Sequence, residues 1–121
     1  MLTESGVRTI EPGITVFAIS GRLNLGNGLQ TMESTIKRLI AEGARKLVID
    51  LAGLHHIDSS GIGMFMMCNA EMEKSGGRMC IAGASGLVAR SFHLVHLQRV
   101  VGVEADVESA CRNLGQPIET A

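Results

Sequence analysis

Hydrophobic positions along the chain change period several times, and each change marks an element. Ile14-Thr15-Val16-Phe17-Ala18-Ile19-Ser20 is β-branched and partly alternating, the period of a strand with one face on a core. Residues 7–11 form a shorter run of the same kind, and Pro12-Gly13 between the two is a turn signal, so the pair reads as a hairpin closed by Gly21. Residues 22–28 form a loop rich in Gly and Asn. From residue 29 to 41 the period becomes helical: Leu29, Met32, Ile36, Leu39 and Ile40 share one face, while Glu33, Lys37 and Arg38 lie off it. Gly43 is the expected stop.

Residues 46–51 have a nearly continuous apolar centre, which predicts a strand buried on both faces, as in a parallel sheet. Residues 52–58 read as a connection. Ile62, Phe65, Met66, Asn69 and Met72 then mark one face of a second helix ending at Gly76-Gly77. A strand at 78–82, a Gly-rich loop at 83–86, a short helix at 87–94 and a weak strand at 100–103 follow. Asp106 reads as the N-cap of a last helix over 107–114, and residues 115–121 as a frayed tail. The order β-β-α-β-α-β-α-β-α predicts one α/β domain over residues 1–121, ordered over about 7–114. It is expected to hold a mixed sheet of four to five strands with helices mainly on one face.

Composition narrows the function. Of 121 residues, 45% are apolar, enough to form a core without metals or disulfides. Eleven basic and twelve acidic side chains leave a net charge of -1, so no basic excess exists to neutralise a nucleic-acid backbone. Aromatics are 2%, against a base-stacking surface. Cys68, Cys80 and Cys111 are scattered, and read as reduced thiols in a reducing compartment. The first residues lack a signal-peptide pattern and no apolar run is long enough to span a bilayer. The expectation is a cytoplasmic protein without membrane insertion, without direct nucleic-acid binding, and a monomer or weak dimer.

The chemically informative segment is Ile57-Asp58-Ser59-Ser60-Gly61-Ile62-Gly63, between the buried strand and the second helix. A helix N-terminus presents unpaired N–H groups and the positive end of the macrodipole, which favour a phosphate. Gly61 and Gly63 remove Cβ bulk, so another backbone can approach. Asp-Ser-Ser before a helix is also an ordinary capping sequence, and Ser60 reads as the cap. Two serines and an Asp exceed what one cap needs.

With the preceding strand, Gly21-Arg22-Leu23 and Gly76-Gly77, this segment resembles the STAS family, the domains shared by sulphate transporters and bacterial anti-sigma-factor antagonists. The resemblance covers nearly the whole chain. It implies an anti-sigma factor antagonist: a switch that binds an anti-sigma factor that is also a serine kinase, is phosphorylated at Ser59, and is reset by a PP2C-type phosphatase. With the residue chemistry above, the expected partner surface is Asn24, Asp58, Ser60, Gly61, Ile62, Gly63, Met64 and Met67. Asn24 stands where many antagonists carry Asp, and keeps hydrogen-bonding capacity without the charge. The alternative is a non-switching STAS scaffold or a transporter-associated subunit.

Competing chemistries are weaker. His55-His56 and the i, i+3 pair His93 and His96 lack a third ligand at a suggestive spacing, so no metal or other cofactor is expected. The G-x-S-x-G elbow, a P-loop and G-x-G-x-x-G are absent, which argues against an enzyme. Met66 reads as core, whereas Met64 and Met67 lie toward the face of Glu71, where exposed methionines would suit an adaptable partner surface.

Overall fold

The computed structural model describes residues 3–10, 13–26 and 28–115. Strands β1 (Glu4–Ile10) and β2 (Ile14–Leu23) form the expected antiparallel hairpin, in register from Glu4↔Ser20 to Ile10↔Ile14. The Pro12 turn position lies outside the described residues, as does the tail beyond Gly115. β2 does not stop at Gly21. That residue has φ 88°, which glycine adopts without strain, and the pairing register shifts between Gly21 and Arg22. The strand bends there and runs on to Leu23.

Helix α1 (Leu29–Ala41) covers the span its periodicity predicts, burying Met32, Ile36, Leu39 and Ile40. Strand β3 (Lys46–Asp50) pairs in parallel with the first half of β2. The span 52–58 was expected to be only a connection, but it contains strand β4 (Leu54–Ile57), parallel to the Gly21–Leu23 end of β2. Leu54-His55-His56-Ile57 neither alternates nor forms an apolar run, because both ends are buried and the middle faces outward. Helix α2 (Ser59–Lys74), strand β5 (Arg78–Ala82), helix α3 (Gly86–Leu94), a 3-10 turn at Leu97–Arg99, strand β6 (Gly102–Glu104) and helix α4 (Val107–Gly115) complete the order. Asp106 accepts a 2.7 Å hydrogen bond from the Ser109 N–H, as an N-cap should.

The sheet has six strands in the order β1-β2-β3-β5-β6, with β4 on the extension of β2. Only the β1–β2 pair is antiparallel. Successive residues of the central strands serve opposite faces. Leu47, Ile49, Met79 and Ile81 join the main core with Phe17, Phe65 and the buried sides of α1, α2 and α3. Val48, Cys80 and Ala82 join a smaller core with Ile14 and Val16 beneath Ala110 and Leu114 of α4. This two-sided burial makes β3 and β5 apolar nearly throughout. Helices thus lie mainly on one face, with α4 the only described helix on the other.

Asn69 is the one buried polar side chain among the described residues, and its amide donates to the Val100 carbonyl at 3.0 Å and to Glu73 at 2.8 Å. Those bonds satisfy its donor group and tie α2 to the segment before β6.

Burial pushes the Cys68 and Cys80 thiols up to about 11, while Cys111 is only half-buried. A thiol reagent at neutral pH should therefore modify Cys111 first and reach the other two only on unfolding, as mass spectrometry of partly labelled protein would show. Phe65, fully buried, should lose about 3–5 kcal/mol as Phe65→Ala in urea unfolding. Met67→Ala, at 53% exposure, should change stability by less than about 0.5 kcal/mol.

Candidate functional site

β4 ends at Ile57 and α2 begins at Ser59, leaving Asp58 as a single extended residue between them (φ -106°, ψ 179°). Its carboxylate works in two directions. Oδ1 accepts the Gly61 N–H at 3.0 Å and so caps α2. Oδ2 accepts the Leu25 N–H at 3.0 Å, from the loop after β2. The Asp58 N–H in turn donates to the Leu23 carbonyl at 3.4 Å. One side chain thereby staples the 24–28 loop to the start of α2.

Burial pushes the Asp58 carboxyl up, but hydrogen bonds from the Leu25, Gly61 and Ser60 N–H groups and the nearby His56 outweigh it. Together they hold the group below its ordinary value of 3.8. The site therefore carries a fixed negative charge at neutral pH.

Ser59 is the first residue of α2 and is exposed, and among the described residues its hydroxyl has no hydrogen-bond partner. Ser60 is half-buried and does not cap the helix as expected; the Asp58 carboxylate takes that role, reaching the N–H three residues on. Gly61 also departs from expectation. It is buried, and a Cβ there would meet Ile57 Cγ1 at 2.6 Å, so its missing side chain admits the protein's own core rather than a partner. Gly63 is different, since a Cβ there would meet nothing within 4 Å.

Ile62 and Met64 are 8% and 3% exposed, so neither side chain offers a surface to a partner. Met64 belongs to the main core, and its Sδ is 3.7 Å from the Cys68 Sγ. Met66, read as core, is 39% exposed instead, beside Met67 at 53%. Helix α2 turns these two outward because Met64, Phe65, Cys68 and Met72 already fill its buried face.

Asn24 is half-buried and its backbone bridges to Gly28, so it stands one residue from the Asp58-bound Leu25. Sequence reasoning missed Leu25, whose side chain is 76% exposed in that loop. The available signal was an apolar residue with no periodic partner, set among Gly and Asn. Ser59, Gly63, Met66, Met67 and Ala70 recur at helical spacing and make one low-charge stripe along α2. Elsewhere, the His93 and His96 rings lie 6.4 Å apart, and among the described residues no three His, Cys, Asp or Glu side chains gather to hold a metal.

The staple gives two tests. Asp58→Ala should lose about 1–2 kcal/mol in urea unfolding, whereas Ser60→Ala should be nearly neutral. The stability due to the Asp58 charge is full above the unfolded value of 3.8 and is lost as pH falls through the lower folded value. The gap between wild type and Asp58→Asn should therefore stay constant from about pH 8 to 5 and close only in stronger acid. Gly61→Ala should destabilise by crowding Ile57, while Gly63→Ala should stabilise α2 by up to about 1 kcal/mol. Thermal unfolding of the two variants should move in opposite directions.

Comparison with known proteins agrees with this architecture. The model of the STAS domain matches residues 7–110. An anti-sigma factor antagonist from Mycobacterium paratuberculosis superposes with a TM-score of 0.85 at 19% identity, covering 94% of this chain and 95% of that one. The phosphorylated form of SpoIIAA, a Bacillus cell fate determinant, gives 0.69 at 21% identity over 91% and 98%. A sulfate transporter family protein from Wolinella succinogenes gives 0.71 at 15% identity over 88% of each chain. At these identities the superpositions establish the shared fold, and the match to the family model, spanning strands β1 to β6 and reaching into α4, places the chain in the STAS domain family.

Proposed function

We propose that this protein is an anti-sigma factor antagonist whose binding surface is switched by phosphorylation of Ser59. The observation that carries the reading is the exposed Ser59 hydroxyl, without a hydrogen-bond partner among the described residues, beside a carboxylate already committed to the helix start. The N–H groups of Gly61 and Leu25 are occupied by Asp58. A phosphate on Ser59 would therefore not be drawn into the helix terminus. It would stand outside, adding about 1.5–2 negative charges next to the Asp58 charge.

The switch on this reading alters a surface and leaves the fold as it is. Unmodified, the stripe of Ser59, Gly63, Met66 and Met67, with Leu25 at its head, is uncharged and dries readily against an anti-sigma factor that is also a serine kinase. Phosphorylated, the same stripe begins with a charge that a closed interface would have to desolvate, weakening the complex by about a hundredfold. A PP2C-type phosphatase would restore the binding form. The exposed hydroxyl suits both enzymes. Asn24 is one residue from the Asp58-bound Leu25, and a neutral side chain there would spare the phosphoacceptor a second negative charge. The chemistry belongs to the partners, and this chain acts as a binding module rather than an enzyme.

The kinship in fold with a sulfate transporter family protein favours a second reading, a non-switching scaffold or transporter-associated subunit using the same helix surface. The two separate in one titration. Protein carrying phosphoserine at position 59 and unmodified protein are each titrated against the anti-sigma kinase. The switch predicts about a hundredfold loss of affinity with an unchanged unfolding midpoint. Equal affinities would leave the scaffold reading in its place. Ser59→Ala should bind as unmodified protein does under phosphorylating conditions, and Asn24→Asp should change the phosphorylation rate while the thermal midpoint stays put.

A further inference from the structure

Among the described residues, strand β1 is a free edge of the sheet. It pairs there only with β2, is seven residues long, and is exposed from Glu4 to Thr9. The opposite edge, β6, has three residues. A long open edge presents a row of backbone N–H and C=O groups that another strand can complete. Folded proteins commonly guard such an edge with charges, and β1 carries two, Glu4 and Arg8. Neither forms an ion pair among the described residues. They are four residues apart, so they stand on the same face of the strand. That face is shared with Val16 of β2, on the side of the sheet covered only by α4.

We infer that β1 is a homodimer edge, on which a second copy of this chain adds antiparallel about a two-fold axis through Gly6. The charge order selects this register. Centring the pair on Gly6 sets Glu4 opposite Arg8 of the second copy and Arg8 opposite its Glu4, giving two cross-strand ion pairs from one sequence. Any other two-fold register separates the charges, and a slip by one residue also changes what each residue faces. Ser5 then faces Val7, and Gly6 faces Gly6. Nothing lies within 4 Å of a Cβ built on Gly6, so the centre is open to close approach of a second backbone. The contact would join two six-stranded sheets into one and bury no switch residue. Its small area and exposed pairs make it a weak, salt-sensitive association.

Charge reversal tests the register directly. Sedimentation equilibrium over a wide concentration range should show wild type passing from monomer to dimer, less readily at high salt. Glu4→Arg sets Arg against Arg, and Arg8→Glu sets Glu against Glu, each twice per dimer. Each single variant should weaken association by about tenfold or more, and the double variant should return to within about threefold of wild type. Thermal midpoints of all three should match wild type, since both side chains are exposed. As an independent check, Gly6→Cys should form a disulfide-linked dimer under mild oxidation, and Thr9→Cys, far from the axis, should not. A wild type that stays monomeric throughout overturns the inference. So does association indifferent to the single reversals, a double variant as weak as the singles, or cross-linking favoured at position 9 over position 6.

Discussion

Asp58 accepts backbone hydrogen bonds from two directions, and the arrangement of the site depends on it. The Gly61 N–H belongs to the helix and the Leu25 N–H to a loop more than thirty residues earlier. Neither α2 nor the loop has another described side chain that performs this join. The loop lacks an apolar anchor of its own, since Leu25 points into solvent. The carboxylate is held ionised by the bonds it accepts, so the geometry and the charge sustain each other across the neutral range.

Behind that staple lies a rigid platform. β2 bends at Gly21 and carries on to pair with β4, which delivers Asp58 beside Leu23. The close fit of Gly61 over Ile57 fixes how near the first turn of α2 sits to that strand. Phe65, Cys68 and Met72 lock the remainder of the helix onto the sheet. On the reading proposed above, the affinity of such a packed surface for a partner would be set by what decorates it rather than by its shape.

Much of this was legible in the sequence where a single period rules a segment. α1 and β5 match their expected spans because one face of α1 is apolar at helical spacing and β5 is buried on both sides. β4 was not legible, since its four residues carry polar side chains between two buried ends. Two of the methionines of α2, Met64 and Met66, were assigned with the wrong sign, while Met67 is exposed and Met72 buried as expected. Met64 and Met66 are chemically alike, and only the packing of Phe65 and Cys68 decides which of them turns inward. The Asp-Ser-Ser-Gly segment was read correctly as a helix start, but the capping role fell to Asp58 rather than Ser60. Ser60 and Asp58 are both good caps in isolation, and the presence of the Leu25 loop, which local sequence cannot reveal, favours the residue with two acceptor oxygens.

The lack of a described partner for the Ser59 hydroxyl has an evolutionary side. Asp58 is woven into the backbone of two segments, while Ser59 contributes no described side-chain bond to either. A lineage could therefore exchange the side chain at position 59 without passing through a poorly folded ancestor. A change at Asp58 would carry a folding cost that a change at position 59 would not. On the reading proposed above, a permanent scaffold and a regulated binder would differ by one surface side chain.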